Sequence, residues 1–375
     1  MDNSNFKFFL ITLPGLEDLA YKELCEKSKL YEQELLNIAV IEGGVEFEVA
    51  EIAQGFNVNH YSKIGTRLLL RIDEFKARDF PKLFNKLKKI NWNTYISGSK
   101  PELSFSSKKS KIFDDRKVKN CLHDAMDKFF DEQPPKKKYL EKQWHVTPTV
   151  YMRFLDDVCT LSLDTTGERL DKRGQKLFSA EAPIRESIAA AMAYTNFKDL
   201  KTRDLDKVVD PMCGSGSLLF EYVNFYKLNY QRDFLYTEFP KIQIKKIRFE
   251  QEEQYQLLAR DLKEDNIEAV TKNANNFEIS KIDTKVCDLF KNDESFENSL
   301  VVLNPPYNKR IKVDENIHLF IDKLLTHLIE INKAKAISLV MPQTFKIKNY
   351  KDCKLIRSKA INNGGIKVAY FHLRK

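Results

Sequence analysis

The chain has 375 residues, 42% of them hydrophobic and 31% charged, which is enough to bury sizeable cores in two or three domains and excludes a wholly disordered polymer. No stretch approaches the roughly 18 uninterrupted apolar residues of a bilayer-spanning helix. The leading MDNSNFKFFLITLPG lacks the basic, apolar and cleavage regions of a signal peptide, so a soluble, cytoplasmic protein without a membrane partner is expected. The formal charge of +8 is unevenly placed: −7 over residues 1–59, +10 over 60–180 and +5 over 181–375. A basic middle third fits a module that faces a polyanion; a Lys-rich solvated surface is the other reading of the same counts. Six scattered cysteines without a CxxC pair, and six histidines without an HExxH pair, argue against a disulfide framework and a metal site.

In chain order, residues 6–13 (FKFFLITL) predict a strand, and PGLEDLAYKELCEK a helix with Leu16, Leu19, Ala20 and Leu24 on one face. VIEGGVEFEVA predicts two strands around a Gly43–Gly44 turn, completing a small α+β unit that ends near residue 60. Residues 67–75 predict a strand, 79–92 a helix, and 102–113 a strand entering a basic loop. Residues 115–130 predict an amphipathic helix through Val118, Leu122, Ala125, Met126 and Phe129. An exposed connection rich in Pro and Lys (131–144) leads to two more strands, 149–157 and 158–166. The second half alternates: strand 205–212, helix 215–228, helix 263–276, strand 284–290, strand 299–307, helix 317–332, strand 334–343, and a last edge strand, GIKVAYFHLRK. Such alternation implies an α/β fold with a mostly parallel sheet, helices on both faces, and ligands at the carboxyl ends of the strands.

Three features carry chemistry. In VVDPMCGSGSLLFEY (208–222) an apolar strand ends in Asp210, and a turn through Pro211, Met212, Cys213, Gly214, Ser215 and Gly216 opens a helix. Gly214 and Gly216 allow a tight turn and close approach of a ligand, and the helix offers free N–H groups to a carboxylate. The third glycine that a dinucleotide enzyme would want near Leu219 is absent, which lowers the nicotinamide reading. Asp261, before a helix, and Asp288, after a strand, are placed to meet a ribose and an adenine amino group, although each is one acid among 54.

The third feature is Asn304-Pro305-Pro306-Tyr307 after the apolar SLVVL. An exocyclic amine on a base is a poor nucleophile because its lone pair is delocalised into the ring. The Asn304 amide oxygen and the Pro305 carbonyl can accept its two N–H bonds and steady the positive charge that grows on nitrogen. Two prolines keep those acceptors aimed, and Tyr307 can stack on an unstacked base.

With both motifs in hand, DPMCGSG followed by NPPY resembles the amino-methyltransferases that act on nucleic-acid bases and on protein glutamine. LDTTGERLDKRGQKLFSAEAPIRESIAAAM (163–192), TLPGLEDLAYKEL, GGVEFE, TRLLLRIDEF and SFSSKKSKIFD narrow the resemblance to the THUMP-containing RNA guanine-N2 methyltransferases. It is strongest to the bacterial 23S rRNA enzymes in their short, single-methyltransferase form, and covers nearly the whole chain. The resemblance implies a Rossmann-like methyltransferase domain over residues 166–375, preceded by an α+β ferredoxin-like module (1–62) and a THUMP-like RNA-binding module (63–165). It implies S-adenosyl-L-methionine as cofactor, held by Asp210, Pro211, Met212, Cys213, Gly214, Ser215, Gly216, Asp261, Asp288, Asn304 and Pro183. It implies catalysis by Asn304, Pro305, Pro306 and Tyr307, and RNA contact through Lys108, Lys109, Lys111, Arg169 and Arg173. Glu181, Ala182 and Arg185 match a segment beside the cofactor. The chain departs from the family in carrying Ser217 for the usual Thr, and Asn308 and Lys309 where Gly and an acid are common. The expected activity is methyl transfer to guanine N2 of large-subunit rRNA, with neither metal nor covalent enzyme intermediate. Guanine N2 of transfer RNA, adenine N6 of DNA, a protein glutamine and a non-catalytic assembly factor stay open on these residues.

Overall fold

Alternation of apolar and polar residues in FKFFLI makes β1 (Phe6–Ile11), whose Phe8 and Leu10 are fully buried. The computed structural model describes residues 5–96, 98, 100–137, 144–174, 178, 184–199, 205–240, 245–249, 255–306 and 317–375. It divides into two units: Met1–Ile11, Leu24–Leu170 and Arg232–Arg248 form one, and Thr12–Glu23, Asp171–Gln231 and Phe249–Lys375 the other. Among the described residues, no helix is long and apolar enough to cross a membrane.

In the first unit β1 lies between β3 (Gly44–Val49) and β4 (Arg67–Lys76), antiparallel to both, with β2 (Leu36–Ile41) outside β3. Beyond β4 come β7 (Val158–Asp164), β6 (Thr149–Leu155) and β5 (Glu102–Lys108), the last parallel to β6. All seven strands share one sheet, so residues on either side of position 62 belong to the same ladder. Helix α2 (Ile52–Tyr61) seats Gly55 on the Phe8 ring, and Phe8 in turn stacks on Phe47 at 5.6 Å. Helices α3 (Phe80–Lys88) and α4 (Asp115–Glu132) start where Asp79 and Asp114 accept hydrogen bonds from Lys82 N and Lys117 N. Helix α1 (Glu17–Leu30) spans the residues at which the chain passes from the second unit into the first.

The second unit holds five parallel strands in the order β10 (Ile282–Val286), β9 (Gln256–Asp261), β8 (Lys207–Asp210), β11 (Ser299–Leu303), β12 (Ala336–Pro342). Antiparallel β15 (Ile366–Arg374) follows β12, and β13 (Lys354–Arg357) and β14 (Ile361–Asn363) pair with β15. The C-terminal strand was expected at an edge and is internal instead. KLIR and INN are too short to show a period of two, so nothing in the sequence marks the strands that cover it. Helix α5 (Glu186–Asp199) precedes β8, and α6 (Ser217–Asn224), α7 (Glu264–Asn276) and α8 (Ile317–Thr326) lie in the connections between the parallel strands. The expected helix 317–332 widens into a π turn at His327–Ile331, with Asn332 N donating to His327 O. The wider turn lets the His327 ring reach Asn292 O while the buried Asn332 amide donates to Asn292 O and Glu294 O.

Two features of this unit differ from expectation in their purpose. The Pro14–Gly15 turn does more than open a helix: Asn362 N donates to Pro14 O at 3.0 Å, and Lys359 pairs with Asp18. Gly15 has φ +97°, and a Cβ there would lie 2.1 Å from Ala360 O, so no larger residue fits. Arg173 was expected to grip RNA, but its side chain is 5% exposed and makes two 2.9 Å bonds to the Glu221 carboxylate, itself 3% exposed. Burial of both charges forces this pairing and removes Arg173 from any solvent-facing set.

Gly15→Ala should therefore destabilise the protein by about 2 kcal/mol or more, read as a lowered midpoint in denaturant unfolding; an unchanged midpoint contradicts the contact. Arg173→Ala should cost about 3–5 kcal/mol because Glu221 is left buried and unpaired, and Arg173→Met with Glu221→Met should recover most of it. An Arg173→Ala protein as stable as its parent would return this side chain to the surface.

Candidate functional site

Strand β8 has β9 on one side and β11 on the other, so the chain's path through the sheet reverses direction at β8, and a crevice opens at the carboxyl ends. A cavity of about 720 Å³ occupies it. One wall is the turn after β8, from Asp210 to Ser215; a second carries Asp261 to Lys263 after β9 and Cys287 to Phe290 after β10. Asn304, Pro305 and Pro306 after β11 form a third, and Asn363, Gly364 and Ile366 from the β14–β15 turn close a fourth beside Ile184 and Arg185. The volume suits a ligand of nucleoside size or larger.

The carboxylates have distinct jobs. Asp261 Oδ2 accepts from Gly214 N at 2.9 Å, and its Oδ1 accepts from Lys263 N and Asn266 Nδ2. Asp261 thus locks the glycine turn to the end of the next strand. Asp210 is 2% exposed, and its Oδ1 accepts only from Met212 N among the described residues. Burial pushes the Asp210 carboxyl well above the usual carboxylate range; the bond from Met212 N opposes this, and the nearby Asp261 charge adds to it. A donor-rich or cationic group of a ligand beside Asp210 would relieve that cost. Asp288 accepts from Phe290 N and lies 3.7 Å from Lys291 Nζ, with a third of its side chain exposed toward solvent.

Asn304 follows five fully enclosed strand residues, Ser299–Leu303. Its Oδ1 is buried and has no hydrogen-bond partner among the described residues, as is true of Ser215 Oγ. A buried amide oxygen without a donor is costly, and such atoms concentrate where a ligand supplies the missing bond.

Asp210, Pro211, Met212, Cys213, Gly214, Ser215, Asp261, Asp288, Asn304, Pro305 and Pro306 all reach this one cavity. Gly216 does not line it: its φ of +85° caps α6, and a Cβ would lie 2.6 Å from the Phe220 ring, so packing rather than ligand approach demands glycine. Pro183 and Tyr307, with Glu181 and Ala182, lie outside the described residues. Lys108, Lys109 and Lys111 are exposed in the first unit, and Arg169 is half-buried. The Cys213 thiol is buried and pushed well up, chiefly by that burial, which leaves it unreactive. Among the described residues, no group of three His, Cys, Asp or Glu is placed to hold a metal ion.

Other contributors carried no sequence signal. Asn273 is fully buried on α7; its amide clamps Phe178 N and O and also donates to Ser215 O. Arg260, 2% exposed, is bonded to Glu294 and Asp283 at 2.7 Å, and its carbonyl accepts from Cys213 N. Leu262 is 70% exposed within the cavity wall, offering an apolar surface beside Asp261.

Known proteins fit this picture. Residues 173–370 match the family model described as UPF0020, the RMKL-like methyltransferase domain. Ribosomal RNA large subunit methyltransferase K/L of Psychromonas ingrahamii is 28% identical over 329 residues, covering 81% of this chain and 42% of that protein. The chain spans less than half the length of the curated relatives it matches. Among solved structures, SMU.472, a methyltransferase candidate complexed with SAH, superposes with a TM-score of 0.77 at 21% identity, covering 98% of this chain and 97% of that one. A methylase candidate from Clostridium difficile 630 gives 0.77 at 22% identity, with 99% and 98% covered. Those structural likenesses show the fold over both units. The family match takes in more than half of the sequence, including every wall of the cavity, and the chain belongs to the UPF0020 family of RMKL-like methyltransferase domains.

Proposed function

We propose that this chain transfers a methyl group from S-adenosylmethionine to the exocyclic N2 of a guanine in large-subunit ribosomal RNA. The observation that carries the reading is the buried Asn304 amide oxygen, without a donor among the described residues, on a residue that lines the same cavity as the glycine turn. The names of the curated relatives support the RNA substrate, and the departures at Asn308 and Lys309 leave the base contacts to this chain's own residues.

The cavity fits the cofactor by size and by its polar groups. Asp210 presents a buried carboxyl suited to the amino-acid ammonium, and the free N–H groups opening α6 suit the carboxylate. Asp261, beside exposed Leu262, suits the ribose and the adenine face, and Asp288 the adenine amino group. When bound, the sulfonium supplies an electrophilic methyl. The residues' own work is then positional: Asn304 Oδ1 and the Pro305 carbonyl accept the two N–H bonds of the base amine. Both acceptors draw its lone pair out of the ring plane and hold the nitrogen in line with the methyl. Pro305 and Pro306 restrict the loop, and Tyr307 is assigned the stacking contact with the extruded base. The product proton leaves to water after the charge has developed.

RNA is assigned to residues 63–165 as a THUMP-like module, with residues 1–62 as a ferredoxin-like leader and 166–375 as the catalytic domain. Lys108, Lys109, Lys111 and Arg169 supply phosphate contacts, and the cytoplasm is the compartment in which this substrate is made.

Asn304→Ala should lower methyl transfer to guanine N2 by about a hundredfold or more while calorimetry shows S-adenosylmethionine binding nearly unchanged. The assay is labelled methyl transfer to RNA from cells lacking the protein, followed by nucleoside analysis. Equal loss of binding and turnover would contradict the role given to Asn304, and label in another nucleoside would contradict the substrate.

A further inference from the structure

Phe113 has the most exposed large apolar side chain among the described residues, at 78%, and the function proposed above gives it no task. A single exposed ring is ordinary on a protein surface. What sets this one apart is the loop that presents it. Residues 108–114 are bonded to fixed framework on both sides of the ring. Asp156 N donates to Lys108 O, Lys111 N to Asp157 Oδ1 at 2.8 Å, and Asp157 N to Ser110 Oγ at 2.9 Å. Ser107 Oγ donates to Ile112 O at 2.7 Å, and the Ile112 side chain is buried, 1% exposed. On the far side, Asp114 caps α4 by accepting from Lys117 N. Lys109 sits at φ +51°, a conformation that costs a non-glycine residue about 1 kcal/mol and persists because these bonds determine it. Ile112 is anchored inward at 1% exposure while the adjoining Phe113 stands in solvent at 78%.

The charges around the ring are arranged for an anion. Lys108, Lys109, Lys111, Arg116 and Lys117 are exposed within five residues of Phe113. Of the nearby carboxylates, Asp157 accepts from Lys111 N and pairs with Arg78, and Asp114 caps α4 and lies 3.7 Å from Lys117 Nζ; Asp115 and Asp156 are exposed, and Lys108, Lys109 and Lys111 carry the loop's own positive charge. A rigid ring ringed by ammonium groups is complementary to an unpaired nucleotide, whose base offers a π face and whose phosphates offer charge.

Resting on the RNA reading above, we propose that Phe113 is a stacking platform for an unpaired RNA base, and that Lys108, Lys109 and Lys111 hold the flanking phosphates. Stacking gives the loop a preference for single-stranded segments that charge alone does not.

The test uses the full chain and two fluorescent RNAs, a hairpin with an unpaired loop and a blunt duplex, titrated at several salt concentrations. Phe113→Ala should weaken hairpin binding by about five- to a hundredfold, leave duplex binding unchanged and keep the parent's salt slope. Phe113→Trp should bind the hairpin as the parent does. Lys108→Glu, Lys109→Glu and Lys111→Glu together should instead weaken both RNAs and flatten the salt dependence. Phe113→Ala binding the hairpin like the parent, or losing hairpin and duplex equally, overturns the stacking role. A parent protein that binds neither RNA overturns the underlying reading instead. The ring is exposed, so the thermal midpoint of Phe113→Ala should match the parent, which separates a binding loss from unfolding.

Discussion

The parallel pairing of β8 with β11 is the constraint on which the catalytic half depends. Lys207, Val208 and Val209 lie opposite Ser299, Leu300 and Val301, so two strands separated by about ninety residues of chain end side by side. That register delivers Asp210 and Asn304 to one cavity at neighbouring strand ends. Both strands are apolar and buried on both faces, as parallel strands covered by helices must be. A slip of one residue would turn Asn304 toward the opposite face and leave its amide without purpose. The strand register therefore places the Asn304 amide, because the pairing of β8 with β11 fixes which face of β11 each side chain occupies.

Around that pair the fold uses buried polar groups as fixed struts. Asp261 holds Gly214, Asn273 holds Ser215 and Phe178, and Arg260 joins β9 to Asp283 and Glu294. Each strut is satisfied on several sides, which makes its burial tolerable and its geometry rigid. At the cavity, Asp210 accepts a single bond among the described residues and Ser215 Oγ and Asn304 Oδ1 accept none, while other buried polar atoms without a partner, such as Asn57 Oδ1, Asn93 Oδ1 and Asn332 Oδ1, lie away from it.

Much of this was legible in the sequence because its signals are local. The DPMCGSG turn, the NPP loop and the strands that lead into them are short-range patterns, and each lies where strand ends meet the crevice. The misses lie in packing contacts and in elements too short for a residue pattern to encode. Gly216 reads as a glycine for ligand approach, but its neighbour is Phe220 across the first turn of α6. Arg173 reads as one more cation in a basic run, and only the fold reveals Glu221 beside it. The Pro14–Gly15 turn reads as a helix start, while its reason lies at Ala360, some 345 residues away. Strands β13 and β14 are too short for periodicity to register, so an internal strand looks like an edge.

Restricted backbone marks the two places proposed to meet a nucleotide. In the loop after β11, Pro305 and Pro306 remove backbone freedom beside Asn304, whose buried amide oxygen has no partner among the described residues. In the loop after β5, hydrogen bonds to Asp157, Ser110 and Ser107 remove it and leave a ring open to solvent. In the loop after β5 the ring cannot relax into the protein, because the backbone that would have to move is bonded elsewhere. Ordering costs met during folding are not charged again on binding, so more of each contact's energy is available as affinity or rate. Rigidity in the loops, rather than the number of charges they carry, is what separates a recognition surface from a merely basic one.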